Sequence, residues 1–183
     1  FGAGSTAAAL ALPRLLDRVS DRPVMLAGAA AMIGALLGLA GWIAAAGLSW
    51  PAPLAAWVVA GLGSAAVQTP AGRLLRRSAH ARDRPAVFAA QFALSHSCWL
   101  VTYPLAGALM TAFGAVPALL GLAALSGAGL VAALALWPAG DPLVLEHRHD
   151  DLPPDHPHIR DGRAHAHAYV IDAHHPQWPA AAR

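Results

Sequence analysis

The chain contains no lysine, and its 183 residues hold a single cysteine, Cys98. One thiol excludes an internal disulfide framework. The missing lysine, beside the abundance of Ala and Gly, reads as coding bias and not as mechanism. More telling are the stretches without charge. No Asp, Glu, Lys or Arg occurs between Arg22 and Arg73, or between Arg84 and Asp141. Charged residues make up 12% of the chain and hydrophobic ones 57%, outside the usual range for soluble domains. A spanning helix needs about 20 mostly apolar residues, so each charge-free block has room for two spans and a short turn. A soluble fold of this length has too little interior to bury both. A basic stretch followed by a small-residue cleavage site is also lacking around the first apolar run, which is therefore not read as a secretory signal peptide. The chain opens on Phe1 with an apolar run already under way and reads as a fragment that begins inside a helix.

Five apolar segments remain, at 1–13, 24–47, 52–69, 86–112 and 115–137. Only helices and closed barrels satisfy their backbone in lipid, and nothing here alternates with the period of barrel strands. The fold class is therefore an all-α membrane protein: a transmembrane helix bundle over 1–138, then a His-rich tail over 139–183. The tail is rich in Pro and Asp, cannot build a core, and is expected to be mostly disordered.

The connections set orientation. "RLLDRVSDRP" carries Arg14, Arg18 and Arg22, and "AGRLLRRSAHARDRP" carries Arg73, Arg76, Arg77, Arg82 and Arg84, while "LSWPAP" and "FGAVP" are uncharged. Short arginine-rich loops stay in the cytoplasm. Strict alternation puts both basic loops on one side and the tail with them. This predicts a multi-pass protein of the inner (plasma) membrane with a cytoplasmic C-terminus. Trp42, Trp50 and Trp137 lie near span ends, as interfacial anchors do. The membrane part carries eight Arg against three Asp, and the tail four Arg against six Asp and one Glu. A basic rim and an acidic tail would attract each other. The partners expected are the lipid bilayer and a small solute or metal ion, with no nucleic acid.

The order of segments and loops resembles the C-terminal half of a major facilitator superfamily transporter, from about the eighth helix to the twelfth. Two stretches carry the resemblance. In "LLDRVSDRP", Asp17 and Arg18 match the opening of the family's cytoplasmic loop motif and Arg22 its final basic position, while Ser20 stands for a Gly and Asp21 for an Arg. In "TYPLAGAL", Pro104 and Gly107 match a Pro-x-x-Gly element of the eleventh helix. The resemblance covers about residues 1–138 and leaves the tail outside. It implies that Asp17, Arg18 and Arg22 belong to a conformational latch between helices. It implies that about seven further helices, the six of the N-terminal half among them, complete a cavity near the midplane. It also implies alternating access by rocking of the two halves.

Segment four is the least ordinary span. Gln91, Ser95, Cys98 and Thr102 recur along one helical face, and Phe92, His96, Trp99 and Tyr103 along the next. Polar groups are costly in lipid, so these faces should look into the bundle or a watery path. Gln91, Ser95, His96, Cys98 and Thr102 are candidate pathway residues, with His96 as a proton or metal contact. The plainer reading is helix–helix adhesion, worth about 0.6 kcal/mol for each polar contact. Gly34, Gly38 and Gly41 in segment two, and Gly61 and Ser64 in segment three, suit close helix contacts.

In the tail, His147 and His149, His156 and His158, and His165 and His167 form three His-x-His pairs at nine-residue intervals, and nine more residues lead to His174 and His175. Imidazole suits Zn, Cu, Fe and Ni. The eight histidines are the candidate metal ligands, with Asp150, Asp151, Asp155 and Asp161 available beside them. An inert tail and a pH-responsive segment are the competing readings. No nucleophile–base pair, phosphate-cradling loop or paired membrane carboxylates occur, so an enzyme is not expected. No cofactor is required by these residues; a divalent metal (Ni, Co or Zn) is the candidate ligand of the tail. Two functions follow. One is a secondary active, proton-coupled transporter exporting a small solute or metal ion, with a metal-binding tail like family members whose His-rich termini confer nickel or cobalt resistance. The other is a non-transporting, membrane-anchored metal-sensing or metal-buffering protein.

Overall fold

Long apolar runs with few interruptions form helices because helices alone satisfy every backbone group within one segment. The computed structural model has five: α1 (Gly2–Leu16), α2 (Asp21–Ala46), α3 (Pro51–Arg77), α4 (Arg84–Phe113) and α5 (Ala115–Leu136). It describes residues 1–140, 142–159 and 162–178; Asp141, Arg160, Asp161 and residues 179–183 fall outside that description. Glycines end two of the helices: Gly47 (φ 75°) after α2 and Gly114 (φ 84°) after α4 adopt the positive φ that lets a chain leave a helix sharply.

The helix bounds depart from the sequence reading at the prolines. Segments one and three were expected to stop at Pro13 and Thr69. Instead α1 runs through Pro13 to Leu16, and α3 runs through the buried Pro70 to Arg77. Proline removes one backbone donor, but a helix held by its neighbours tolerates that loss. α2, α3 and α5 are long and apolar enough to cross a membrane. α4, with 30 residues, and α1, with 15, are not among them. Leu10, Leu100 and Leu136 are 71%, 78% and 82% exposed, which suits lipid and not water.

α3 is the centre of the packing, with α1 and α2 against it; α5 lies on α2, and α4 on α5. Small residues set these distances, since backbones approach closely only where no Cβ intervenes. A Cβ added at Gly28 would stand 2.7 Å from the Gly63 carbonyl oxygen, and one at Gly63 would stand 2.5 Å from that of Gly28. Gly4 and Gly61 play the same part between α1 and α3, facing the Val58 and Phe1 carbonyls. Gly34, Gly38 and Gly41, expected at such contacts, face open space. The core is small: Ala8, Leu12 and Leu16, one turn apart along α1, pack with Val24, Val19, Ala65 and Ala66.

The tail is where the structure departs most from expectation. Where no regular structure was expected, β1 (Val144–Arg148) and β2 (Ala164–Ala168) pair antiparallel, with His147 opposite His165 and Leu145 opposite His167. A one-turn 3-10 helix, Pro157–Ile159, lies in the connection. Arg163 organises that connection, donating to the carbonyls of His149 (3.1 Å), Asp150 (3.3 Å) and Leu152 (3.3 Å).

Candidate metal centre

Strand side chains alternate between two faces. Every His-x-His pair therefore puts both rings on one face once the segment is extended. Pairing β1 with β2 gathers His147, His165 and His167 on a common face, and His149 N–H extends the ladder to the Arg163 carbonyl at 2.9 Å. The 3-10 turn brings in His158, and the segment after β2 returns His175, which is 2% exposed.

Two overlapping sets of four rings result: His147, His158, His167 and His175, and His147, His149, His158 and His165. Within each set the ligand atoms all lie within 4.8 Å of one another. The Nε2 atoms of His158 and His149 are 3.1 Å apart, those of His158 and His175 3.2 Å, and those of His175 and His147 3.0 Å. Tetrahedral nitrogens around a zinc-sized ion are about 3.3 Å apart, so the spacing is already close to that of a coordination shell.

The outer nitrogens decide what the inner ones offer. His147 Nδ1 lies 3.0 Å from the Leu145 carbonyl, His165 Nδ1 3.0 Å from that of Gly162, and His167 Nδ1 2.9 Å from that of Ala168. A carbonyl only accepts, so each Nδ1 carries the proton and each neutral ring presents a bare Nε2. His175 Nδ1 likewise meets Asp172 Oδ1 at 2.9 Å. His147 and His175 thus aim lone pairs at each other across 3.0 Å, an arrangement that repels until a cation lies between them. The Nε2 atoms of His165 and His167 are buried without a hydrogen-bond partner. Ring nitrogens held by carbonyls and a carboxylate on the outside, with free lone pairs converging inside, are the supporting shell that metal-binding histidines need.

Electrostatics agree. Burial, and then the neighbouring imidazoles, push the His158 pKa down to about 4. His149 is lowered mainly by burial, with His175 and His165 adding to it. Burial also lowers His147, against a partly opposing hydrogen bond to Leu145. These rings stay neutral, the form that binds metal. At Asp172 burial alone would raise the pKa, but the N–H groups of His174 and His175 and the His175 ring lower it overall, so its carboxylate stays charged.

Of the eight expected ligands, His156 and His174 fall outside both sets; their rings lie 4.9 Å apart, beside the centre. Asp172, the residue that orients His175, was not among the candidates. Its position three residues before His175 is a turn-forming one, since its Oδ1 also accepts the N–H groups of His174 and His175.

The α4 candidates divide. Gln91, Ser95 and Cys98 line a groove with Leu75 of α3. Thr102 Oγ1 donates to its own helix, to the Cys98 carbonyl at 2.9 Å, and Ser95 Oγ to that of Phe92. His96 sits on the adjacent face, stacked on Phe92 (3.7 Å between centroids) and beside Trp99 (4.4 Å). Its Nδ1 meets the Phe92 carbonyl at 2.8 Å, so the neutral ring keeps Nε2 as a free acceptor.

At the loop motif, Asp17 caps α1 and Arg18 is exposed. Arg22 Nε donates to the Trp137 carbonyl at 3.1 Å, tying α2 to the end of α5. The interhelical ion pair belongs to Asp21, which meets Arg73 of α3. Asp21 was not singled out in the sequence, although an acid in the first turn of a helix is stabilised there by the helix dipole.

A family model described as Major Facilitator Superfamily matches residues 1–168. The match runs past the expected limit at residue 138 to the end of β2. Neither the curated proteins nor the solved structures gave a match to the chain.

Proposed function

The chain belongs to the major facilitator superfamily, and from that membership we propose that it is the C-terminal part of a secondary active transporter exporting a small solute or metal ion, with a tail that binds one divalent metal ion. The observation that carries the metal reading is the convergence of the ring nitrogens of His147, His158, His167 and His175, with the Nδ1 atoms of His147, His167 and His175 held from outside by two backbone carbonyls and Asp172. Because His147 and His158 belong to both sets of four, the centre holds one ion and not the several that four histidine repeats suggest. Zinc or cobalt, at home in tetrahedral nitrogen shells, suits it best, with nickel next.

In this reading the arginine loops and the tail lie on the cytoplasmic side of the inner membrane. The groove bearing Gln91, Ser95 and Cys98, with His96 Nε2 on the neighbouring face, contributes to the solute path. The role is binding and translocation, with no enzymatic step. A second reading, a metal buffer anchored by its helices, is favoured by the position of the centre outside the spans.

Calorimetry on the detergent-solubilised chain with zinc, cobalt and nickel tests the metal reading. One ion per chain is expected, lost in the His147→Ala/His158→Ala variant; unchanged binding in that variant overturns it. Metal and solute accumulation in cells with and without the gene that encodes this chain separates the two readings, since a buffer retains metal and an exporter lowers it.

A further inference from the structure

The segment that delivers His175 to the metal centre also touches the helices. Ile171 N–H donates to the Arg77 carbonyl, at the end of α3, at 2.8 Å. The Arg77 guanidinium lies over the Trp178 ring at 5.2 Å. Ile171 and Ala79 are each 6% exposed, and Ile171 and Trp178 share a cleft with Ser78 and His80 of the α3–α4 connection and Val87 of α4. The segment is braced from behind. Tyr169 donates its hydroxyl to the Gln177 carbonyl at 2.8 Å, and its ring stands 5.1 Å from Trp178 and 4.7 Å from His175. His175 is thus four residues from the docked Ile171 and three from Trp178, with Asp172 bridging the turn between them.

We propose that residues 169–178 form a metal-set strap: binding of a divalent ion at the His147/His158/His167/His175 centre fixes the strap on the α3–α4 connection. This inference rests on the metal reading above and adds its consequence for the helices. The physical reason is local. Without an ion the lone pairs of His147 and His175 repel, which works against the turn that presents Ile171 and Trp178. With an ion, His175 is held, Asp172 stays bonded to it, and the strap is fixed at both ends. The connection it grips joins α3 to α4, the helix that carries Gln91, Ser95 and His96. Occupancy of the tail therefore biases a joint between two helices of the bundle. Coupling of this kind is reciprocal: weakening the dock must weaken the metal site.

The test uses the whole chain in detergent, with Cys98→Ser as background and spin labels at Gln177→Cys and Arg82→Cys. Pulsed electron resonance is recorded with zinc chloride and with chelator, and zinc binding is measured calorimetrically on the same samples. A single short label distance with zinc, broadening on chelation, is the expected result. Zinc bound with no change in the distance distribution overturns the strap and leaves the metal reading intact; no zinc bound overturns both. Trp178→Ala, which removes no ligand, should weaken zinc binding about fivefold or more through the lost coupling, and His174→Ala should not. Equal zinc affinity in Trp178→Ala and the parent chain also overturns the strap.

Discussion

Arg73 of α3 reaches the carboxylate of Asp21 at the first turn of α2, 2.5 Å away, and the carboxylate is only 4% exposed. The pair holds together the ends of two helices that Gly28 and Gly63 keep close further along. Arg73 is 33% exposed and only Asp21 is buried, so removing the guanidinium leaves a buried carboxylate uncompensated. Arg73→Ala is therefore expected to destabilise the bundle by about 1–3 kcal/mol, Asp21→Asn by less, and the double variant less than the sum. Thermal unfolding in detergent measures this; strictly additive effects would show that the two side chains do not act as a pair.

The glycine contacts make a sharper contrast. Gly63→Ala pushes a methyl group to 2.5 Å from the Gly28 carbonyl oxygen, whereas Gly34→Ala enters open space. The first is expected to lower stability by about 1–3 kcal/mol as α2 and α3 are forced apart. The second should leave stability unchanged or slightly raised by better helix propensity. Equal unfolding midpoints for the two variants would count against the close α2–α3 approach.

Among the tail histidines, single alanine substitutions should fall into ranks. His147 and His158 belong to both ligand sets and should weaken zinc or cobalt binding most. His167, His175, His149 and His165 belong to one set each and should have intermediate effects, while His156 and His174 belong to neither. Cobalt absorption spectroscopy, which also reports tetrahedral geometry, would show the order. Equal losses at all eight positions would favour a loose, unstructured chelator.

Acid should loosen the tail. The folded pKa of His158 is lowered from 6.5 to about 4, and those of His147 and His149 are lowered too. Above the ordinary value both the folded and the unfolded tail leave these rings neutral. Below it the unfolded tail takes up protons that the folded tail refuses, so stability falls with pH across the window from 6.5 to 4. Amide exchange in β1 and β2, corrected for its intrinsic pH dependence, should speed up between pH values of about 7 and 5. Unchanged protection would show that the rings are not buried together.

Much of the bundle could be read from local composition. Charge-free blocks gave the number of helices, and arginine loops gave which ends lie together, as the Arg22–Trp137 and Asp21–Arg73 contacts bear out. Helix ends at Pro13 and Thr69 were misplaced because neighbouring helices compensate for the donor that Pro13 and Pro70 lack. The hairpin was missed because Pro and Asp dominate the tail's composition, although His-x-His spacing is itself the period of a strand. That period, taken with the alternating "AHAHA" of β2, was the available clue.

The sequence alone determined that this protein is a membrane helix bundle with an imidazole-rich end, because hydropathy and residue type are properties of short stretches. Tertiary structure decided which residues meet. His147 and His175 stand 28 positions apart in the chain and 3.0 Å apart in space. Asp21 and not Asp17 holds α3. Gly28 and not Gly34 admits it. Those choices depend on how strands pair and helices cross, and on which backbone groups hold each ring nitrogen, and no spacing along the chain encodes them.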